Sequence, residues 1–308
     1  TELLNALLKA PVDLLWNGGI GTYVKASKES HADVGDKAND ALRVDAEDLR
    51  AQVIGEGANL GVTQKGRIAF ARHGGRINTD AIDNSAGVDT SDHEVNIKIL
   101  LGDAIRAGAL KEAKRDKLLE SMTDEVGALV LTNNYEQTLA ISLVQASAAA
   151  DLDSHERFMQ RLETTGKLSR RVEGLPPAAE VASLRAAKQG LTRPELAKLV
   201  AYAKIDLFDA LVASAAPDDP AFAEPLRAYF PKELAKFEQQ MSGHRLRREI
   251  IATQLANDVV NRCGPSFVDR VRATSRADAV VIACAFEAGR RIYDLDDLYD
   301  RINALDNK

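Results

Sequence analysis

Cysteine, aromatic side chains and long apolar runs are all scarce in this chain of 308 residues. Cys263 and Cys284 are the only cysteines. They exclude a disulfide framework and a thiolate metal cluster, and two buried free thiols are expected instead. The longest purely apolar stretch, Ala279 to Phe286, falls far short of the roughly 20 residues that a membrane helix needs. Basic charge is not in excess either. A formal net charge of −6 argues against a nucleic-acid footprint or a polybasic membrane surface. The five histidines are scattered, none at metal-ligand spacing with Cys, Asp or Glu, so no metal site is expected. No nucleophile elbow, P-loop or paired-carboxylate motif is present. The expectation is a cytoplasmic protein that touches neither membrane nor nucleic acid.

What is present is a change of period. The first 92 residues alternate short β-like runs with helical or turn-rich segments. The runs are Val12 to Trp16, Val53 to Ile54, Arg67 to Ala71 and Ile77 to Ile82, with Asp45 to Gln52 as a helix-length approach to the second. Strands spaced in this way imply a mostly parallel, doubly wound sheet. From Asp92 onward the period is that of helices. Leu196, Leu199, Val200, Ala203, Leu207 and Leu211 form one apolar face. Thr192 with Glu195, and Ser275 with Asp278, have the spacing of a reciprocal helix cap. Gly174 to Pro177 and Ala215 to Pro225 break helices. The fold class expected is α/β followed by all-α. Residues 1–92 would be one part and 93–308 a larger helical region, with a sub-boundary near 150–175.

The segment with most chemistry is Asn84-Ser85-Ala86-Gly87-Val88-Asp89-Thr90-Ser91. It lies between the last apolar run and the helical run from His93, where α/β proteins place ligand groups. Two glycine clusters, Gly18 to Gly21 and Gly55 to Gly61, follow β-like runs. Neither completes a G-x-G-x-x-G fingerprint, because Val24 and Leu60 stand at the third position. A phosphate cradle or a tight strand-exit turn would each account for them. His93 is expected on the surface. The basic clusters at Arg170-Arg171 and Arg245 to Arg248 are read as solvated helix faces, and so is the acidic run Asp294 to Asp300.

Glu56-Gly57-Ala58-Asn59, followed about 25 residues later by Asn84 to Ser91, resembles the glutamate dehydrogenase superfamily, in which E-G-A-N precedes N-A-G-G-V-x-x-S. Departures are Ser85-Ala86 for Ala-Gly, Asp89 for Thr, and Leu60 onward for the usual Gly-Pro. Pro11 to Lys25, Glu29 to Asp36 and the helical tail are similar to the very large bacterial NAD-specific branch.

The resemblance implies a truncated Rossmann-like half-domain at 1–92 and a C-terminal fragment of an enzyme that deaminates L-glutamate to 2-oxoglutarate with NAD as cofactor. It implies that Asn84 contacts the nicotinamide and the substrate amine, that Val88 lines the substrate pocket and that Ser91 donates to the substrate carboxylate. It further implies that Asn59 reaches the nicotinamide ribose, with Glu56, Gly57 and Ala58 supplying backbone beside the cofactor. The family's catalytic lysine, aspartate and glycine fingerprint would lie on the remaining N-terminal part of the same enzyme, so the isolated chain is expected to be inactive. A homo-oligomer is expected of the whole protein. Two other readings stay open. The helical region could be an assembly or regulatory module, or the substrate could be a branched-chain or aromatic amino acid.

Overall fold

A computed structural model describes residues 1–305. The described residues are mostly helical, with a small parallel sheet. They divide into two compact units, one of Thr1–His93 with Val126–Ala201, the other of Glu94–Glu125 with residues from Tyr202 onward.

In the first unit three parallel strands stand in the order β1 (Leu14–Asn17), β4 (Val53–Glu56), β5 (Arg76–Ile77). A separate parallel pair joins β2 (Val24–Lys25) to β3 (Val44–Asp45). Strand alternation sends Leu15, Ile54 and Ile77 to one face, where they pack with Phe70, Val62, Val24 and Val44 into a core. The helix Gln64–Arg72 contributes Phe70 to that core, and the Thr63 hydroxyl caps it by accepting the Gly66 amide at 2.9 Å.

Several elements differ from expectation for local reasons. Arg67 to Ala71 is the interior of that helix and not a strand, since the Thr63 cap and the i, i+3 burial of Arg67 and Phe70 outweigh a short apolar run. Of the run Ile77 to Ile82 only Ile77 belongs to a strand. Asn78 and Thr79 leave the sheet, and Asp80–Asp83 forms a helical turn with Ile82 buried. Asp45 to Gln52 holds only a 3-10 turn, Ala46–Asp48. The octapeptide is not a loop. A helix spans Ser85–Arg106, and within it the Thr90 and Ser91 hydroxyls bond back to the Ala86 and Gly87 carbonyls.

The same unit holds the helix Leu152–Thr164, which buries Phe158, Met159 and Leu162. The helix Arg193–Val212 starts at the cap read from sequence. Glu195 accepts the Thr192 amide at 2.6 Å, and burial pushes its carboxyl above the ordinary range. The basic cluster at Arg170-Arg171 divides, Arg171 being exposed as expected and Arg170 not. Arg170 is buried, donating to Glu163 at 2.9 Å and to the Pro176 carbonyl.

The second unit is built round the helix Arg247–Cys263, whose Ile251, Leu255, Val259 and Val260 are buried. The helices Ala223–Tyr229 and Ala279–Ile292 pack on it. The latter starts three residues later than a Ser275 cap would place it. Asp278 accepts the Val281 amide at 2.8 Å, while the Ser275 hydroxyl bonds back to Val271 at the end of the preceding helix. Cys263 and Cys284 are free and only half-buried. Among the described residues no helix is long and apolar enough to cross a membrane.

Candidate functional site

Carboxyl ends of parallel strands collect polar backbone, and here they carry two motifs of opposite construction. The first, residues 56 to 62, leaves β4 as a turn. The side chain of Glu56 does not reach outward, for it is fully buried. Arg67 holds it from both sides, with Nε at 2.6 Å from Oε2 and Nη2 at 2.9 Å from Oε1, and Oε1 also accepts the Val62 amide at 3.0 Å. Burial raises the Glu56 carboxyl against the pull of Arg67. On the guanidinium burial works against the charge, yet Glu56 and Asp80 hold it above its ordinary value.

Asp83 adds a further grip by accepting the Glu56 amide at 2.9 Å and the Asn78 carboxamide at 2.6 Å. Burial pushes the Asp83 carboxyl up. Asn78 in turn accepts from Arg193, whose other nitrogens reach the Ser142 hydroxyl and the Thr138 carbonyl. The turn is therefore wired to the helix Thr123–Ala146 and to the start of Arg193–Val212.

Leu60 adopts φ of 61°, in the left-handed region, and its side chain is exposed. Such a conformation costs a non-glycine residue on the order of 1–3 kcal/mol and persists only when neighbours impose it. Glycine at 55 and 57 serves a different purpose, leaving room for an indole that any side chain there would displace. A Cβ at either position would fall 2.6 Å or 2.5 Å from the ring of Trp16, the residue beside them on β1. The close approach that glycine permits is thus taken up by an indole.

The second motif presents side chains. Asn84 closes the Asp80–Asp83 turn, and its Nδ2 donates to Oδ1 of Asn59 at 3.3 Å, which brings the two carboxamides together. Gly87 leaves room for the Asn84 carboxamide, whose Oδ1 would be 3.0 Å from a Cβ there. Ser85 turns inward to accept from Asn134. Val88 and Ser91 lie on the exposed side of the helix, Val88 at 64% exposure. Gly57 and Ala58 are half-buried, and the Ala58 amide donates to the Asn17 carbonyl at 3.0 Å. Asn59, Asn84, Val88 and Ser91 thus offer amide, hydroxyl and apolar groups to a ligand.

His93 is not a surface residue. It is buried, its ring is 3.7 Å from Asp89, and burial pushes its pKa down. The sequence reading missed Asp80, Asp83 and Arg67, although two carboxylates three apart directly after a strand were a visible signal.

A cavity of about 1100 Å³ opens on the face of the sheet away from the core. Leu14, Trp16, Val53 and Gly55 form its floor, with Asn134 and Arg193 among the groups opposite. Among the described residues no group of three or more His, Cys, Asp or Glu side chains is placed to hold a metal ion.

Comparison with known proteins matches residues 1–144 to the catalytic domain of bacterial NAD-glutamate dehydrogenase and residues 188–308 to the glutamate dehydrogenase C-terminal family. The chain is 54% identical over 307 residues to an NAD-specific glutamate dehydrogenase of Pseudomonas aeruginosa. It is 48% identical over 308 residues to one of Halomonas elongata and 47% over 304 residues to one of Mycobacterium tuberculosis. These matches take in 98% or more of this chain but span only 19% of the length of each relative.

Proposed function

The chain belongs to the bacterial NAD-glutamate dehydrogenase family, and on that premise we propose that it supplies one side of the cofactor and substrate site of a much longer enzyme. That enzyme oxidatively deaminates L-glutamate to 2-oxoglutarate and ammonia. The observation that carries the reading is the meeting of the Asn59 and Asn84 carboxamides at the strand ends, 25 positions apart in sequence.

The residues present fit the nicotinamide end of NAD. Asn84 offers both an acceptor and a donor, as a carboxamide ligand and a substrate amine require, and Asn59 is placed beside it for ribose hydroxyls. The backbone of Gly57 and Ala58 lines the same turn, while Glu56 acts through Arg67 and supplies no outward side chain. When bound, NAD accepts the hydride from the α-carbon of glutamate. Val88 forms an apolar wall for the substrate side chain. The Ser91 hydroxyl, now bonded to the Gly87 carbonyl at 3.3 Å, turns to the far carboxylate. A hydrogen bond to a charged group contributes about 1.5–3 kcal/mol and favours glutamate over aliphatic amino acids.

The three parallel strands are read as half of a Rossmann-like sheet. Residues 1–92 would be that half-domain and 93–308 the helical region. The remaining strands, the pyrophosphate cradle and the groups that move protons belong to the rest of the enzyme. The chain alone is accordingly inactive, and the whole is cytoplasmic and homo-oligomeric.

Calorimetry with the full-length polypeptide tests this. NAD should bind, and Asn84→Ala should weaken binding at least tenfold, whereas binding that survives the substitution unchanged overturns the reading. Ser91→Val should erode the preference for glutamate; a variant that keeps it favours another residue as the selector.

A second reading is favoured by the exposed Ile292, Tyr293, Leu298 and Ile302 near the end of the second unit, which give the helical region an apolar surface suited to assembly. Light scattering of the purified chain that shows a monomer at every concentration removes it.

A further inference from the structure

Asp80 touches the carriers of both carboxamides. Its Oδ2 accepts the Leu60 amide at 2.8 Å, the peptide unit that follows Asn59. Its backbone carbonyl accepts the Asn84 amide, also at 2.8 Å. No other residue bonds to the backbone at both places among the hydrogen bonds of the described residues. The remaining oxygen, Oδ1, accepts the Ala81 amide at 2.9 Å and lies 3.2 Å from Nη2 of Arg67. Arg67 also binds Glu56, which accepts the Val62 amide. The turn is therefore gripped at its beginning, its apex and its end through one guanidinium.

The apex is the place where a grip matters. Leu60 stands in the left-handed region although it is not glycine. Released from Asp80, a leucine there relaxes toward negative φ. That rotation swings the preceding peptide and Asn59 with it.

We propose that Asp80, anchored by Arg67, is a positioning residue for the nicotinamide–ribose end of the cofactor, holding Leu60 left-handed so that Asn59 stays opposite Asn84. This rests on the reading of those two asparagines as cofactor residues. Asp80 itself touches neither cofactor nor substrate. Its effect passes through the geometry of the turn, and is separable from a general contribution to stability because glycine at 60 removes the steric cost against which the grip holds.

The test uses NAD affinity of the full-length polypeptide, with hydrogen exchange of the Leu60 amide as a readout that needs no ligand. Asp80→Ala is expected to speed exchange at Leu60 at least tenfold and to weaken NAD at least tenfold. Asp80→Asn, which keeps one acceptor for the Leu60 amide but gives up the second oxygen used by the Ala81 amide and Arg67, guards against a variant that fails to fold and is expected to lose clearly less affinity than Asp80→Ala. Adding Leu60→Gly to Asp80→Ala is expected to recover at least threefold of the lost affinity. Faster exchange with unchanged affinity overturns the proposal alone, and so does a double variant that is not rescued. An Asp80→Asn loss as large as that of Asp80→Ala does so as well, because the acceptor kept for the Leu60 amide would then count for nothing. Failure of the wild type to bind NAD overturns the assignment of the site together with it.

Discussion

The turn at 56–62 and the helical segment at 84–91 lie side by side at the ends of the strands, yet they are built in opposite ways. In the turn the polar side chains point inward. Glu56, Arg67, Asp80 and Asp83 spend most of their hydrogen bonds on backbone amides and on one another, and what faces outward is main chain with the side chains of Asn59 and Leu60. In the helix the backbone satisfies itself, and Asn84, Val88 and Ser91 face outward with few constraints. A turn has no internal ladder of bonds, so its shape must be imposed by buried charge, whereas a helix leaves its side chains free for ligands. The contrast implies that substitutions of Glu56 and Asp83 act first on stability and those of Asn59, Val88 and Ser91 on binding.

The largest effect should come from Glu56→Ala, which takes two hydrogen bonds from the buried Arg67 guanidinium and leaves Asp80 as its remaining carboxylate. About 3–5 kcal/mol of stability should be lost, measured as a lower urea midpoint, and a loss below 1 kcal/mol would break the contrast. Asp83→Ala leaves the Glu56 amide without its acceptor and should cost about 1–3 kcal/mol, read in the same experiment. Ser91→Ala and Val88→Ala should change stability by no more than about 0.5 kcal/mol, while raising the KM for glutamate in the full-length enzyme.

The smallest effect sharpens the comparison through pH. Burial raises the Asp83 carboxyl above its ordinary 3.8, so in the window above that value the folded chain binds the proton more tightly than the unfolded one. Stability from this group is therefore present at low pH and falls as pH rises. The wild type should lose stability relative to Asp83→Asn as pH climbs above 3.8, and parallel profiles would show that the carboxyl is not desolvated.

Much of this was legible in the residues. β1 and β4 showed as apolar runs ending at glycine turns, and the Thr192–Glu195 cap announced the helix at Arg193, because both signals are local. The strand that ends at Ile77 was overextended because Ala81 and Ile82 continue its apolar character, although Asp80 begins a helical turn. Arg67 read as part of a strand because its partner Glu56 lies 11 residues back, a separation that no periodicity carries. The return of residues 126–201 to the unit of the sheet, through Asn134 to Ser85 and Arg193 to Asn78, rests on contacts 49 and 115 residues apart. The two asparagines were legible through family resemblance, while the carboxylates that seat them were not, since an acidic side chain in a sequence is read as solvated until its burial is seen.

Trp16 bears on more than packing. It is the only tryptophan of the chain, it is 59% exposed, and it lies against Gly55 and Gly57 where β4 becomes the turn. The intrinsic indole emission of the purified chain therefore comes from a single place, the strand ends. Its colour records how wet that place is, so a spectrum without any added label reports when the turn opens or when a second molecule covers it.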